Sequence, residues 1–285
     1  MRRPSSSSSS SDDEVSPSGV RRAAEAGTTA REGRLVRYAA RVEYDGTDFA
    51  GFQAQPGRRT VQGELESALS RLGGGARIRV DGAGRTDAGV HAQGQVIAFT
   101  WTGRLRMDEL VTALRAVLPS DVGIGSLWTV SADFRPRYAA QRREYRYSIW
   151  NGPRSPLRER YALGYRDALD VEAMDRAAQA LVGRHDFSAF GGWDRQPIRT
   201  LHGVRVRRTG PMVTIDVTGD AFLRQMVRSI VAALLRVGRG DVTAEDLEAA
   251  LRSPGRAFAG AIAPPHGLCL RRVVLGRRQT GTGRG

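Results

Sequence analysis

The stretch Gly82-Ala83-Gly84-Arg85-Thr86-Asp87-Ala88-Gly89-Val90-His91-Ala92 gathers residues whose types and spacing can do chemistry. Three glycines in eight residues make a tight loop that tolerates close backbone approach. A dinucleotide-binding loop would need glycine at the last position of Gly-x-Gly-x-x-Gly, and Asp87 stands there, so that reading fails. A Gly-rich segment with an aspartate is usually just a turn. Two features raise this one above that: Arg85 lies two residues before Asp87, and the loop is too elaborate for a simple hairpin connection. An arginine close to a partly buried carboxylate lowers its pKa by roughly 1 to 3 units. The ionised group is then available as a nucleophile or as an electrostatic stabiliser. His91 follows Asp87 by four residues but has no third ligand in view, so it reads as structural or as hydrogen-bonded within the loop.

Two further segments carry charge in unusual company. In Arg142-Arg143-Glu144-Tyr145-Arg146-Tyr147 a strand places Arg143, Tyr145 and Tyr147 on one face. Cation and rings interleaved in this way suit a base-stacking surface; they equally suit an ordinary strand whose tyrosines enter the core. In Phe222-Leu223-Arg224-Gln225-Met226-Val227-Arg228 two arginines interrupt an apolar helix. A charge in a buried helix needs a partner, so Arg228 either meets a catalytic carboxylate or snorkels to the surface.

Composition narrows the chemistry. The chain has 285 residues and a formal charge of +14, and all 44 of its Lys-plus-Arg residues are arginine. Without lysine there is no Schiff base, no pyridoxal phosphate anchor and no P-loop lysine. One cysteine, Cys269, excludes an internal disulfide framework and a zinc site built on paired cysteines. Arginine is the side chain best matched to phosphates and to stacking on bases, so a body this basic points to a polyanionic partner. No apolar run reaches the roughly 18 to 20 residues that span a bilayer, and the two N-terminal arginines precede no hydrophobic segment. The expectation is a cytoplasmic protein without a membrane anchor.

The elements that must position these residues alternate between strand and helix. Residues 1–34, with seven consecutive serines, read as a disordered tail, and 279–285 as a flexible one. Between them, Tyr38, Ala40, Val42 and Tyr44 alternate with charged residues as in a half-buried strand. Thr60 caps a helix that Gly73 stops. Strands are predicted over 78–81, 95–101 and 126–130, and a helix over 107–118. In the second half a strand is predicted over 138–150, a helix capped by Asp170 and closed by Gly183, and a hairpin turned at Gly210-Pro211. A buried helix is predicted over 221–237, a capping box at Thr243 and Asp246, and a closing strand over 271–275. This order predicts two α+β halves, 35–136 and 137–278, with a ligand cleft between them.

Together these segments closely resemble the tRNA pseudouridine synthase A family, whose enzymes act on the anticodon stem and loop. The resemblance is carried by Tyr44-Asp45-Gly46-Thr47 with Phe49, Gly51, Phe52 and Gln53, by Thr60-Val61-Gln62-Gly63-Glu64-Leu65, and by Gly84 through Ala92. It continues in Arg143 to Tyr147, in Asp186-Phe187-Ser188 with Phe190, and in Phe222-Leu223 through Met226-Val227-Arg228. It implies an α+β fold whose two halves share a long, mainly antiparallel sheet, with helices on one face and a basic cleft between the halves. It implies isomerisation of uridine to pseudouridine at tRNA positions 38 to 40, without cofactor or metal, by a homodimer that holds tRNA across both subunits. On the matching positions, Asp87 is the catalytic carboxylate that attacks the ribose C1′. Tyr145 contacts the target base, and Arg85 and Arg228 handle the flipped nucleotide and pair with the aspartate. The family usually has asparagine after Met-Val-Arg, where this chain has Ser229, and it usually mixes Lys with Arg. A synthase for another RNA, or a non-catalytic RNA-binding protein of the same fold, are the alternatives; the intact Asp87 and Tyr145 favour the enzyme.

Overall fold

The computed structural model describes residues 35–253, 258 and 260–276; the two tails assigned from sequence, 1–34 and 279–285, lie outside the described residues. Strand β1 (Val36–Tyr44) buries Tyr38, Ala40, Val42 and Tyr44 and exposes Arg41 and Glu43, the alternation expected of a pleated strand with one face on the core. Helix α1 (Val61–Leu72) begins where the Thr60 hydroxyl accepts a hydrogen bond from the Gly63 N–H at 3.2 Å. Its buried stripe is Val61, Leu65, Ala68 and Leu69; each fully buried leucine contributes roughly 1.5–3 kcal/mol. Strands β2 (Val80–Gly82) and β3 (His91–Trp101) flank the glycine-rich loop, and α2 (Met107–Val117) and β4 (Val122–Thr129) complete the first half.

The second half opens with a single helical turn, α3 (Pro136–Ala139), that feeds directly into β5 (Ala140–Trp150). Then come α4 (Pro156–Glu159), β6 (Leu163–Gly164), α5 (Val171–Gln179) and β7 (Gly183–Asp186). The hairpin β8 (Ile198–Thr209) and β9 (Met212–Gly219) turns at Gly210, whose φ is +56°. Helix α6 (Met226–Gly238) is almost wholly buried, α7 (Ala244–Arg252) carries the Thr243–Asp246 capping box, and β10 (Leu268–Leu275) closes the fold.

All of these strands join one sheet in the order β4-β1-β3-β10-β5-β9-β8-β7, with β2 added on β3 and β6 on β5. The pairings are antiparallel except β10 with β3 and β5 with β6. The last strand thus inserts between the first-half and second-half strands, pairing Cys269 and Leu270 with His91 and Ala92 on one side, and Leu270 with Tyr145 on the other. That seam brings the end of the glycine-rich loop to within one strand of β5. Helix α5 rests on the sheet through a Gln179 side chain donating to Val204 O at 3.0 Å and an Asp175 carboxylate accepting from Val206 N–H at 2.8 Å. On the opposite face of β5, Arg146 pairs with Asp216 at 2.7 Å and Glu144 with Arg272 at 2.8 Å. Among the described residues no helix is long and apolar enough to cross a membrane.

The predicted elements are present, with shifted ends. Strand β3 starts at His91, four residues ahead of the expected Gln95, because Tyr44 and β10 pair with its first residues. Helix α6 starts at Met226 instead of Ala221, because the Asp220 carboxylate binds the Ala221 N–H, and Gln225 adopts a left-handed conformation with φ 62°. Such a backbone costs a non-glycine residue roughly 1–2 kcal/mol. It allows the helix to begin with Arg228 in its first turn.

Candidate active site

The loop from Gly82 to Val90 is pinned along its backbone. Ala83 N–H donates to Val96 O at 2.8 Å, Gly84 O accepts from the Gln95 side chain at 3.0 Å, and Thr86 O accepts from Phe52 N–H at 3.1 Å. The Thr86 hydroxyl lies 2.8 Å from the buried Tyr44 hydroxyl, and Gly89 N–H reaches Phe49 O at 3.3 Å. The segment from Tyr44 to Phe52 therefore forms the back wall of the loop. Its glycines are explained by contact: a Cβ on Gly46 would lie 2.1 Å from Val90 O, and Gly51 has φ +104° with Thr86 O 2.9 Å from where its Cβ would be.

Fixed in this way, Asp87 presents a side chain that is 31% exposed toward α6. Its Oδ2 lies 3.4 Å from a terminal guanidinium nitrogen of Arg228, itself only 13% exposed and anchored by its Nε–H on Ala263 O at 2.6 Å. A residue from each half thus meets at the carboxylate. Arg85 is exposed, and no ion pair joins it to Asp87 among the described residues; the cation beside the carboxylate comes from α6. The next residue, Ser229, is buried, and its hydroxyl has no hydrogen-bond partner among the described residues.

On β5 the face that could have been a stacking platform is mostly interior. Tyr147 is fully buried and its hydroxyl donates to Pro264 O at 2.9 Å, so it belongs to the core. Tyr145 is 9% exposed and meets Phe222 edge-on, with ring centroids 5.2 Å apart. Burial pushes its phenol up to about 12; the Arg143 charge opposes that shift and the Asp87 charge adds to it. The group therefore stays protonated near neutrality. No hydrogen bond to its hydroxyl is found among the described residues, and the hydroxyl is not among their fully buried unpaired polar atoms.

Arg143 turns inward. Its Nε–H and one terminal nitrogen donate to Ala83 O at 3.3 and 2.7 Å, that same terminal nitrogen donates to Arg137 O at 3.0 Å, and the other terminal nitrogen donates to Asp220 O. One guanidinium thus ties the Asp87 loop, α3 and the turn before α6 to β5. The sequence shows an arginine on the right face but not that it would bind carbonyls rather than nucleic acid.

Behind the loop, His91 is buried. Its Nδ1 accepts from Gly46 N–H at 3.0 Å, and its Nε2–H donates to His266 O at 3.1 Å. The same Nδ1 is 3.1 Å from Asp45, but burial lowers the imidazole pKa against that carboxylate's pull, so the neutral ring held by Gly46 is the consistent state. Its hydrogen bonds thus run to Gly46 and His266, outside the glycine-rich loop and not within it. A cavity of about 320 Å³ opens here, lined by Glu43, Asp45, His91, Arg146, Tyr161 and Cys269 among others, and neither Asp87, Tyr145 nor Arg228 lines it. The Asp87–Arg228 contact lies outside this cavity. Among the described residues no group of three or more His, Cys, Asp or Glu is arranged to hold a metal.

A family model described as tRNA pseudouridine synthase matches residues 40–139 and 177–274. The tRNA pseudouridine synthase A of Shouchella clausii is 44% identical over 247 residues, 85% of this chain and 95% of that protein. That of Thermosipho melanesiensis is 44% identical over 245 residues, covering 85% of this chain and all of the other. The chain belongs to the tRNA pseudouridine synthase A family. The resemblance seen in the motifs thus holds over both halves, and the α+β architecture matches the expectation. The protein of Roseiflexus castenholzii is 46% identical over 242 residues, 82% of this chain and 89% of its own length. The chain is accordingly an isomerase that forms pseudouridine in tRNA.

For a synthase, the unpaired hydroxyl of Tyr145 makes a direct expectation possible. Tyr145→Phe removes only that hydroxyl and leaves the ring against Phe222, so the melting temperature should be unchanged. If the phenol holds the base or relays a proton, single-turnover pseudouridine formation should slow by about 10²-fold or more. An unchanged rate with an unchanged melt would remove Tyr145 from the site.

Proposed function

We propose that this synthase modifies uridines at positions 38 to 40, in the anticodon stem and loop, with Asp87 as the catalytic carboxylate. The single observation that carries the assignment is the convergence of Asp87 from one half and Arg228 from the other at 3.4 Å. In the proposed course Asp87 attacks C1′ of the ribose as the C1′–N1 bond breaks, and uracil leaves carrying the negative charge. The base rotates, C5 attacks C1′, and the bond to Asp87 breaks and returns the free carboxylate. The proton lost from C5 balances the one gained at N1. Every atom of the uridine is conserved, so the scheme calls for no cofactor.

Arg228 pairs with the resting carboxylate and is placed to balance charge as the bond to C1′ forms. Tyr145, held protonated, donates to the displaced base, and Arg85, exposed beside Asp87, is free to take a phosphate of the flipped nucleotide. Flipping a stem uridine costs a few kcal/mol, which a basic cleft between residues 35–136 and 137–278 offsets through phosphate contacts. The enzyme is proposed to act in the cytoplasm as a homodimer. Pseudouridine mapped in tRNA from cells with and without the gene should disappear at positions 38 to 40, and the purified chain should sediment as a dimer. Loss at other tRNA positions, or in ribosomal RNA, would overturn the substrate assignment, and a monomer would overturn the assembly.

A further inference from the structure

We infer that Trp193, together with Tyr138, forms a stacking platform for the unpaired bases flanking the target uridine. The inference rests on the anticodon-loop reading above, because loop bases are free to splay outward and stem bases are not. Trp193 is 79% exposed and Tyr138 84% exposed, the most exposed rings among the described residues. Single exposed apolar side chains are ordinary; what distinguishes these is how they are held and where.

The segment bearing Trp193 is fixed on both sides of the indole. Before it, a Cβ on Gly191 would lie 2.6 Å from Leu223 Cβ, and Gly192 N–H donates to Arg224 O at 2.8 Å. After it, the Asp194 carboxylate accepts from Gln196 N–H at 2.9 Å and pairs with Arg199 at 3.1 Å. The ring is therefore presented by anchored backbone and buried against nothing. Arg224, on which the segment rests, lies in the turn that leads into α6 and its Arg228. Tyr138 follows Arg137, whose carbonyl shares the Arg143 guanidinium with Ala83 of the Asp87 loop. Both rings are thus tied, through one shared contact each, to the two sides of the Asp87–Arg228 pair.

The surroundings select RNA over a protein partner. Arg135, Arg137, Arg195 and Arg224 are exposed beside these rings, and none forms an ion pair with an acid among the described residues. Rings for base faces with exposed guanidinium groups for phosphates, of which Arg135 also donates to the Ala132 and Phe134 carbonyls, make the combination that single-stranded RNA requires.

The test compares Trp193→Ala, Trp193→Phe and Tyr138→Ala, all at surface positions whose side chains make no core contact. Trp193→Ala should weaken the Kd for unmodified tRNA by about 5- to 100-fold, the range for one lost base–aromatic stack. Trp193→Phe should recover most of that, and Tyr138→Ala should show a smaller loss. The single-turnover rate at saturating tRNA should be unchanged in all three. Trp193 is the exposed member of four tryptophans, so tRNA should quench wild-type fluorescence and quench Trp193→Phe far less. Unchanged Kd in both alanine variants, or equal loss in Trp193→Ala and Trp193→Phe, would overturn the platform. So would a fall in oligomer mass with RNA affinity intact, which would mark a contact between copies. If pseudouridine mapping fails at positions 38 to 40 while Trp193→Ala still weakens tRNA binding, it is the substrate position that is wrong and the platform stands.

Discussion

Asp87→Asn should bind tRNA with near wild-type affinity and form almost no pseudouridine. The substitution keeps the size of the side chain and removes its charge and its nucleophilic oxygen. The loop that carries it is held by backbone hydrogen bonds from residues 49, 52 and 96 and by the Tyr44 hydroxyl, none of which involves the Asp87 side chain. Arg228 loses its ion pair but keeps its hydrogen bond to Ala263 O. The carboxylate is nearly a third exposed, so the lost pair is worth on the order of 1 kcal/mol and the fold should survive. Phosphate contacts dominate RNA affinity, and a carboxylate makes none of them. Loss of a nucleophile should reduce turnover by about 10⁴-fold or more. Single-turnover conversion measured beside a mobility-shift titration separates the two effects. Pseudouridine formation at near wild-type rate would end the assignment of Asp87.

How much of this site was legible in the sequence depends on how far apart its partners lie in the chain. The Asp87 loop was legible because its glycines, arginine and aspartate fall within eleven residues. The alternation in β1 and the caps at Thr60, Asp170 and Thr243 are local signals too, and each appears in the fold. The late start of α6 was not legible, since apolar periodicity runs through Ala221 to Met226 while a carboxylate at Asp220 and a left-handed Gln225 interrupt it. The face Arg143-Tyr145-Tyr147 was legible as a face, but not its fate. Whether a strand residue meets RNA or core depends on what packs over it, here Phe222 from the approach to α6 and Ala83 from the other half. The pairing of β10 with β3, which draws the halves together, joins residues more than 170 positions apart and leaves no periodic trace.

Arg143 is where these long-range contacts converge, and its replacement should be the second most damaging. The guanidinium is buried, and among the described residues no carboxylate pairs with it; burial therefore lowers its pKa, and only carbonyl oxygens of Ala83, Arg137 and Asp220 hold it. In Arg143→Met the desolvation cost of the charge disappears, but these carbonyls lose a donor, at roughly 1–3 kcal/mol for each that water cannot reach. The fold should melt lower and persist. The Asp87 loop, however, loses its tie to α3 and to the turn that sets Arg228, and a displacement of about 1 Å at a reacting group can cost 10²-fold in rate. We expect kcat to fall by about that factor while KM for tRNA changes little, because Arg143 faces backbone and not solvent. Arg143→Lys retains the charge, but a single ammonium lacks the planar fork that reaches three carbonyls, so it should recover stability more than kcat. A purely structural residue would instead give an enzyme whose folded fraction, once corrected for melting, turns over at the wild-type rate; that result would deny Arg143 any part in positioning Asp87.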